Sequence, residues 1–143
     1  MNAQKLYTLS IAYFLLFVVA VFISGTTLFF VELGVENLDT LSMNITQIKP
    51  KSIEGIIEII TPHIMGMGLM LFVVAHFLLF SKKFSHAFSF RVFLALVFVV
   101  LIDQSAYLFI SSGFEIFGWV KVFSLLVYAF LLSLLVWMVA ISL

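Results

Sequence analysis

Four apolar runs, at about residues 8–31, 62–80, 92–110 and 117–140, constrain this chain more than any other feature. A hydrocarbon core about 30 Å thick takes roughly 20 helical residues to cross. Lipid offers no partners for peptide groups, so each run is expected to close its own hydrogen bonds as an α-helix. Composition agrees: the 143 residues are 64% hydrophobic and 10% charged, with mean hydropathy +1.29, whereas soluble domains average about 45–50% apolar and about 25% charged. The expected fold is an all-α integral membrane protein, a single four-helix transmembrane bundle with no room for a separate soluble domain. Any chemistry must then lie in the bundle or at its mouths.

The first run begins after Lys5, and its apolar stretch from Ile11 to Ile23 superficially resembles a signal peptide. It resumes beyond Ser24-Gly25-Thr26-Thr27 with Leu28 to Val31, too long for a signal segment and without a small-residue cleavage pattern. It therefore reads as a membrane span whose small-residue patch admits a neighbouring helix closely. From Glu32 to Lys51 the chain is polar, with Glu36, Asp39, Asn44, Thr46, Lys49 and Lys51, which predicts a loop outside the hydrocarbon. Pro50 precedes Ser52, a good N-cap, and Glu54 falls in the first turn, where a carboxylate suits the helix dipole. Ile53, Ile56, Ile57 and Ile60 recur at helical spacing while Glu54 and Glu58 share another face, so this part reads as an amphipathic outer-face lead-in to the second span. Thr61-Pro62 predicts a kink or a fresh helix start, because proline lacks the backbone donor and crowds the preceding turn.

The stretch SKKFSHAFSFR, residues 81–91, is expected to connect the second and third spans, with His86 a solvated loop residue. Lys5, Lys82, Lys83 and Arg91 on one side against Lys49 and Lys51 on the other give a positive-inside bias that places both termini in the cytoplasm. In the last span Trp119 and Trp137 are about 27 Å apart at 1.5 Å per residue, matching two membrane interfaces. Formal net charge is zero, and no basic patch interleaved with aromatics occurs, so nucleic acid is excluded as a partner. With no cysteine there is no disulfide, no thiolate-held cluster and no covalent haem attachment through CxxCH.

Ionisable groups inside apolar runs are costly, which makes each a candidate for function. At about 100° per residue, His63, Gly66, Met67 and Met70 share one stripe, and His76 lies about 140° from His63 and about 20 Å along the helix. Neutral imidazole ligates haem iron and copper, glycine leaves space for a flat macrocycle, and thioethers suit copper(I). His63 and His76 are thus candidate metal ligands, with Gly66, Met67 and Met70 completing a cofactor site for haem b or, with Met67 at i+4, for copper. The competing structural reading makes His63 a helix-start residue bonded to Glu58 or water, His76 a hydrogen-bonded bundle residue, and the methionines core filler. In the third span Asp103 needs a partner, since a lone carboxylate in lipid costs several kcal/mol; Tyr107 is one turn away and Lys121 reaches either Asp103 or Glu115. The Asp103, Tyr107 and Lys121 set reads as a structural pair or as a proton site.

Three functions are compatible with these residues. The first is a b-type haem-binding membrane protein for electron transfer or redox sensing. The second is a cofactor-free accessory or assembly subunit of a larger membrane complex. The third is a copper-binding or proton-pathway protein, which would need a homo-oligomer to enclose a path. No HExxH, nucleophile elbow or glycine-rich phosphate loop is present, so catalysis by this chain alone is not expected.

Overall fold

The computed structural model describes residues 3–33, 43, 45, 52–79, 81, 83–114 and 116–143. The loop residues Glu36, Asp39, Asn44, Thr46, Lys49, Pro50 and Lys51, together with Phe80, Lys82 and Glu115, lie outside the described residues. Four helices follow one another: α1 (Ala3–Leu33), α2 (Ile53–Leu78), α3 (His86–Ser111) and α4 (Ile116–Ala140). All four are long and apolar enough to cross a membrane. The chain is an all-α, multi-pass membrane bundle.

Local chemistry explains where the helices begin and end. Ser52 is extended, and its hydroxyl accepts from the Gly55 N–H at 3.2 Å, with Glu54 in the first turn of α2. Ser85 does the same for α3, accepting from the Phe88 N–H at 3.3 Å. His86 is therefore the first residue of α3, not part of a connection reaching Arg91; the cap sets the start six residues earlier than hydropathy does. α3 ends in a Schellman arrangement: Phe114 N–H donates to the Phe109 carbonyl and Gly113 N–H to the Ile110 carbonyl. Gly113 has φ +86°, a conformation that carries little penalty only without a Cβ.

The fresh helix start expected at Thr61-Pro62 does not describe α2, which is continuous from Ile53 to Leu78 with Pro62 inside it. Proline removes one backbone bond, and flanking turns hold the segment helical, as is common in membrane helices. The amphipathic lead-in is thus continuous with the span. Along α1, Ser10 and Thr27 return their hydroxyls to the carbonyls of Leu6 and Ile23 at 2.9 and 2.8 Å, so neither needs a partner in lipid.

Packing is uneven. α3 and α4 form the most extensive contact, α2 joins them mainly through α3, and among the described residues α1 touches α2 and α4 alone, more sparsely. The core stacks Val18 of α1, Leu71 and Val74 of α2, Leu96 of α3, and Leu132 and Leu135 of α4. Phe14 meets Phe77 edge-on at 5.7 Å and Phe22 meets Tyr128 at 6.2 Å, which are the aromatic contacts that tie α1 to the rest. At the opposite end from the Gly113 turn, the Ser81 and Ser142 hydroxyls are 2.7 Å apart. Lys83 Nζ donates to the Ile141 carbonyl there, placing a cation at the C-terminus of α4 where the helix dipole favours it. Trp119 and Trp137 are both about half exposed on α4, as interfacial anchors are.

Candidate functional site

The polar centre of the bundle is assembled by α3 and α4. Asp103 shares the buried stripe of α3 with Leu96 and Val100, and Lys121 and Ser124 share that of α4 with Tyr128 and Leu132, so antiparallel packing turns these groups toward each other. Lys121 Nζ donates to Asp103 Oδ2 at 3.2 Å, and both side chains are nearly buried. Gln104 Nε2 donates to the same oxygen at 2.8 Å, and the Ser124 hydroxyl donates to Oδ1 at 2.8 Å. The Lys121 ammonium also sits 3.5 Å from the centre of the Tyr107 ring, a cation–π contact on its remaining side. Asp103 is thereby matched by one cation and two neutral donors. An isolated charge at this depth would cost several kcal/mol, and the pair offsets that cost while holding α3 and α4 in one register.

Of the alternatives open to Lys121, the structure brings it to Asp103, with Tyr107 beside it. Ser124 and Gln104 complete the cluster. Ser124 has one sequence signal, its place one turn after Lys121 on the same face; a serine in an apolar span otherwise reads as a packing residue. Gln104 Oε1 is buried and has no hydrogen-bond partner among the described residues.

The candidate cofactor residues on α2 are not gathered in the same way. His63 is exposed, and its Nδ1–H donates to the Ile59 carbonyl at 2.6 Å, within its own helix. A carbonyl only accepts, so in this bond the proton is on Nδ1, and in the neutral ring the lone pair is on Nε2. His63 is thus tied to a backbone carbonyl one turn back, and not to Glu58. Gly66 is exposed, with open space where a Cβ would stand. Met67 and Met70 are half-buried against the core. His76 is exposed on a different face, its ring stacked at 6.3 Å on Phe72. No group of three or more His, Cys, Asp or Glu side chains among the described residues could hold a metal ion.

Fold and centre together define a small multi-pass membrane protein organised by one intramembrane ion pair. The chain belongs to the Aq_1264_TM family, described as a transmembrane helical domain, whose sequence profile matches residues 43–143. That stretch contains α2, α3 and α4 and with them Asp103, Gln104, Lys121, Ser124 and both α2 histidines. No curated protein and no solved structure matches the chain.

Proposed function

We propose that this protein is a cofactor-free accessory subunit that docks a second, different membrane-spanning chain through α2. The observation that carries this reading is the contrast in burial among the spans: 11% of the apolar window of α2 is buried, as in α1, against 33% in each of α3 and α4. Bare apolar surface suits lipid, but α2 also carries His76 on the exposed face of Leu69 and Phe72, its ring stacked on Phe72, a polar aromatic side chain that a protein neighbour accommodates better than hydrocarbon does. Gly68 lies among them with open space above its backbone, which lets another helix come close. Contact with a helix of a partner chain satisfies both requirements.

A photo-crosslinking residue at Leu69 or Phe72, 67% and 63% exposed, is expected to capture a different membrane chain in native membranes. The same residue at Phe98 on α3, 63% exposed, is expected to capture none. Adducts only with a second copy of this chain, or equal labelling at all three positions, would remove the hetero-complex reading.

A second reading, haem b ligation by His63, is favoured by one observation. Nδ1 donates to a backbone carbonyl, the arrangement that orients a ligating imidazole and leaves Nε2 to the metal. His63 and His76 cannot ligate one iron within this chain, being about 20 Å apart on the same continuous helix, so the opposite ligand would come from another chain. Dithionite-reduced protein purified in detergent is then expected to show Soret and α bands that disappear in His63→Ala and persist in His76→Ala. A featureless spectrum rules this reading out; copper would appear in metal analysis of the same sample.

The distribution of Lys5, Lys82, Lys83 and Arg91 supports both termini being cytoplasmic. An impermeant thiol reagent added outside is expected to label cysteines placed at Asp39 and Glu115 and to spare one at Ser85. Labelling of Ser85 alone inverts the topology.

A further inference from the structure

Inside a bilayer, apolar surface gains little by leaving lipid for protein, so transmembrane helices are held together by close packing and by hydrogen bonds between helices. α2, α3 and α4 have such ties. α3 and α4 are joined where Asp103 accepts from Lys121 and Ser124. The connection that follows α2 is fastened to the end of α4 by the Ser81–Ser142 contact and by Lys83 Nζ on the Ile141 carbonyl. α1 has no hydrogen bond or ion pair to another helix among the described residues. Its hydroxyls at Ser10, Ser24 and Thr27 return to the carbonyls of Leu6, Val21 and Ile23 on α1 itself.

Close packing does not stand in for the missing bonds. α1 is buried at Ile11, Leu15 and Val18, and nowhere beyond Val18 among the residues whose exposure is described. Its sparse contacts with α2 and α4 include the ring pairs Phe14–Phe77 and Phe22–Tyr128, at 5.7 and 6.2 Å. The small-residue patch Ser24-Gly25-Thr26-Thr27, expected to admit a close neighbour, goes unused: among the described residues nothing lies within 4 Å of a Cβ built at Gly25. Ile45, by contrast, is buried against Gly118 at the start of α4. The twelve residues from Leu33 to Ile45 reach up to about 40 Å when extended, well beyond the spacing of packed helices, about 8–10 Å. The family domain, residues 43–143, begins at the same place and contains α2, α3 and α4.

We propose that α1 is a detachable strap, which leaves and regains its seat on α2 and α4 within the membrane while α2, α3 and α4 stay assembled. Its departure breaks no hydrogen bond or ion pair among the described residues and exchanges apolar protein contacts for apolar lipid contacts. The ion pair and the Ser81–Ser142 contact keep the other three helices in place meanwhile. With α1 away, Phe77 loses the cover of Phe14, and Tyr128, one turn from Ser124 on α4, loses that of Phe22. The strap does not rest on the partner contact proposed above, which lies on the face of α2 carrying Leu69 and Phe72.

The test uses the full chain, which has no cysteine of its own, in lipid nanodiscs holding one copy each. Spin labels on Leu16→Cys in α1 and Leu126→Cys in α4, both exposed positions, report the α1–α4 distance by double electron–electron resonance. Labels on Phe98→Cys and Phe130→Cys, also exposed, report the α3–α4 distance. The α1–α4 pair is expected to show two populations, one docked and one longer, and the α3–α4 pair a single one. Phe22→Ala removes the ring that covers Tyr128 and is expected to raise the ratio of the longer to the docked population about two- to tenfold, the worth of one aromatic pair, with the α3–α4 distance unmoved. A single α1–α4 population as narrow as that of α3–α4, a ratio that Phe22→Ala leaves unchanged, or two populations in both pairs would each overturn the proposal.

Discussion

Asp103→Leu is expected to destabilise the bundle by about 3–5 kcal/mol, the usual cost of removing one partner from a buried ion pair. The loss comes less from the missing attraction than from what remains. The Lys121 ammonium keeps only the Tyr107 ring from the contacts described for it, and the Ser124 hydroxyl and Gln104 amide lose their acceptor. Asp103→Asn keeps a carbonyl oxygen for Lys121 or Ser124 and should assemble better than the leucine variant, since interhelical hydrogen bonds survive without the charge. Replacing both Asp103 and Lys121 by leucine should recover most of the loss, because two apolar side chains leave no uncompensated charge. Thermal unfolding in detergent reads all three. Equal losses in Asp103→Asn and Asp103→Leu would mean that the negative charge itself, or a proton carried there, is required.

The second large effect is expected at Gly118, buried at the start of α4. A Cβ built there would overlap the carbonyl oxygen of Ile45 and stand 2.9 Å from its Cγ2. Backbone cannot turn aside as a side chain can, so Gly118→Val must expel Ile45, which is 1% exposed. Overpacking of this kind costs about 1–3 kcal/mol. Faster amide exchange around residues 43–45 should accompany the lower unfolding temperature. Gly66→Ala is the control: nothing lies within 4 Å of its Cβ position, and alanine gains about 0.5–1 kcal/mol of helix preference over glycine. If Gly118→Val is tolerated as well as Gly66→Ala, the close approach of Ile45 to α4 is not a feature of the protein in its membrane.

The sequence by itself determined the spans, because an apolar run of about 20 residues has one low-cost environment and one backbone conformation there. It also determined the Ser52 cap and the shared stripe of His63, Met67 and Met70, which depend on neighbours three or four residues apart. Hydropathy misplaced the start of α3, since His86 is polar yet helical, its helix capped by the extended Ser85. Pro62 was legible as a missing donor, but not as a residue its flanking turns would carry. Lys121 could reach Glu115 or Asp103 from sequence alone; the antiparallel register of α3 against α4 set it beside Asp103 and brought Ser124 and Gln104 with it. The exposure of His63 was equally out of reach. Periodicity put it on one stripe with Met67 and Met70, and only the packing of α2 in the bundle decided that the methionines are half-buried while His63 is exposed, because which residues of a stripe are covered is set by contacts between helices distant in sequence.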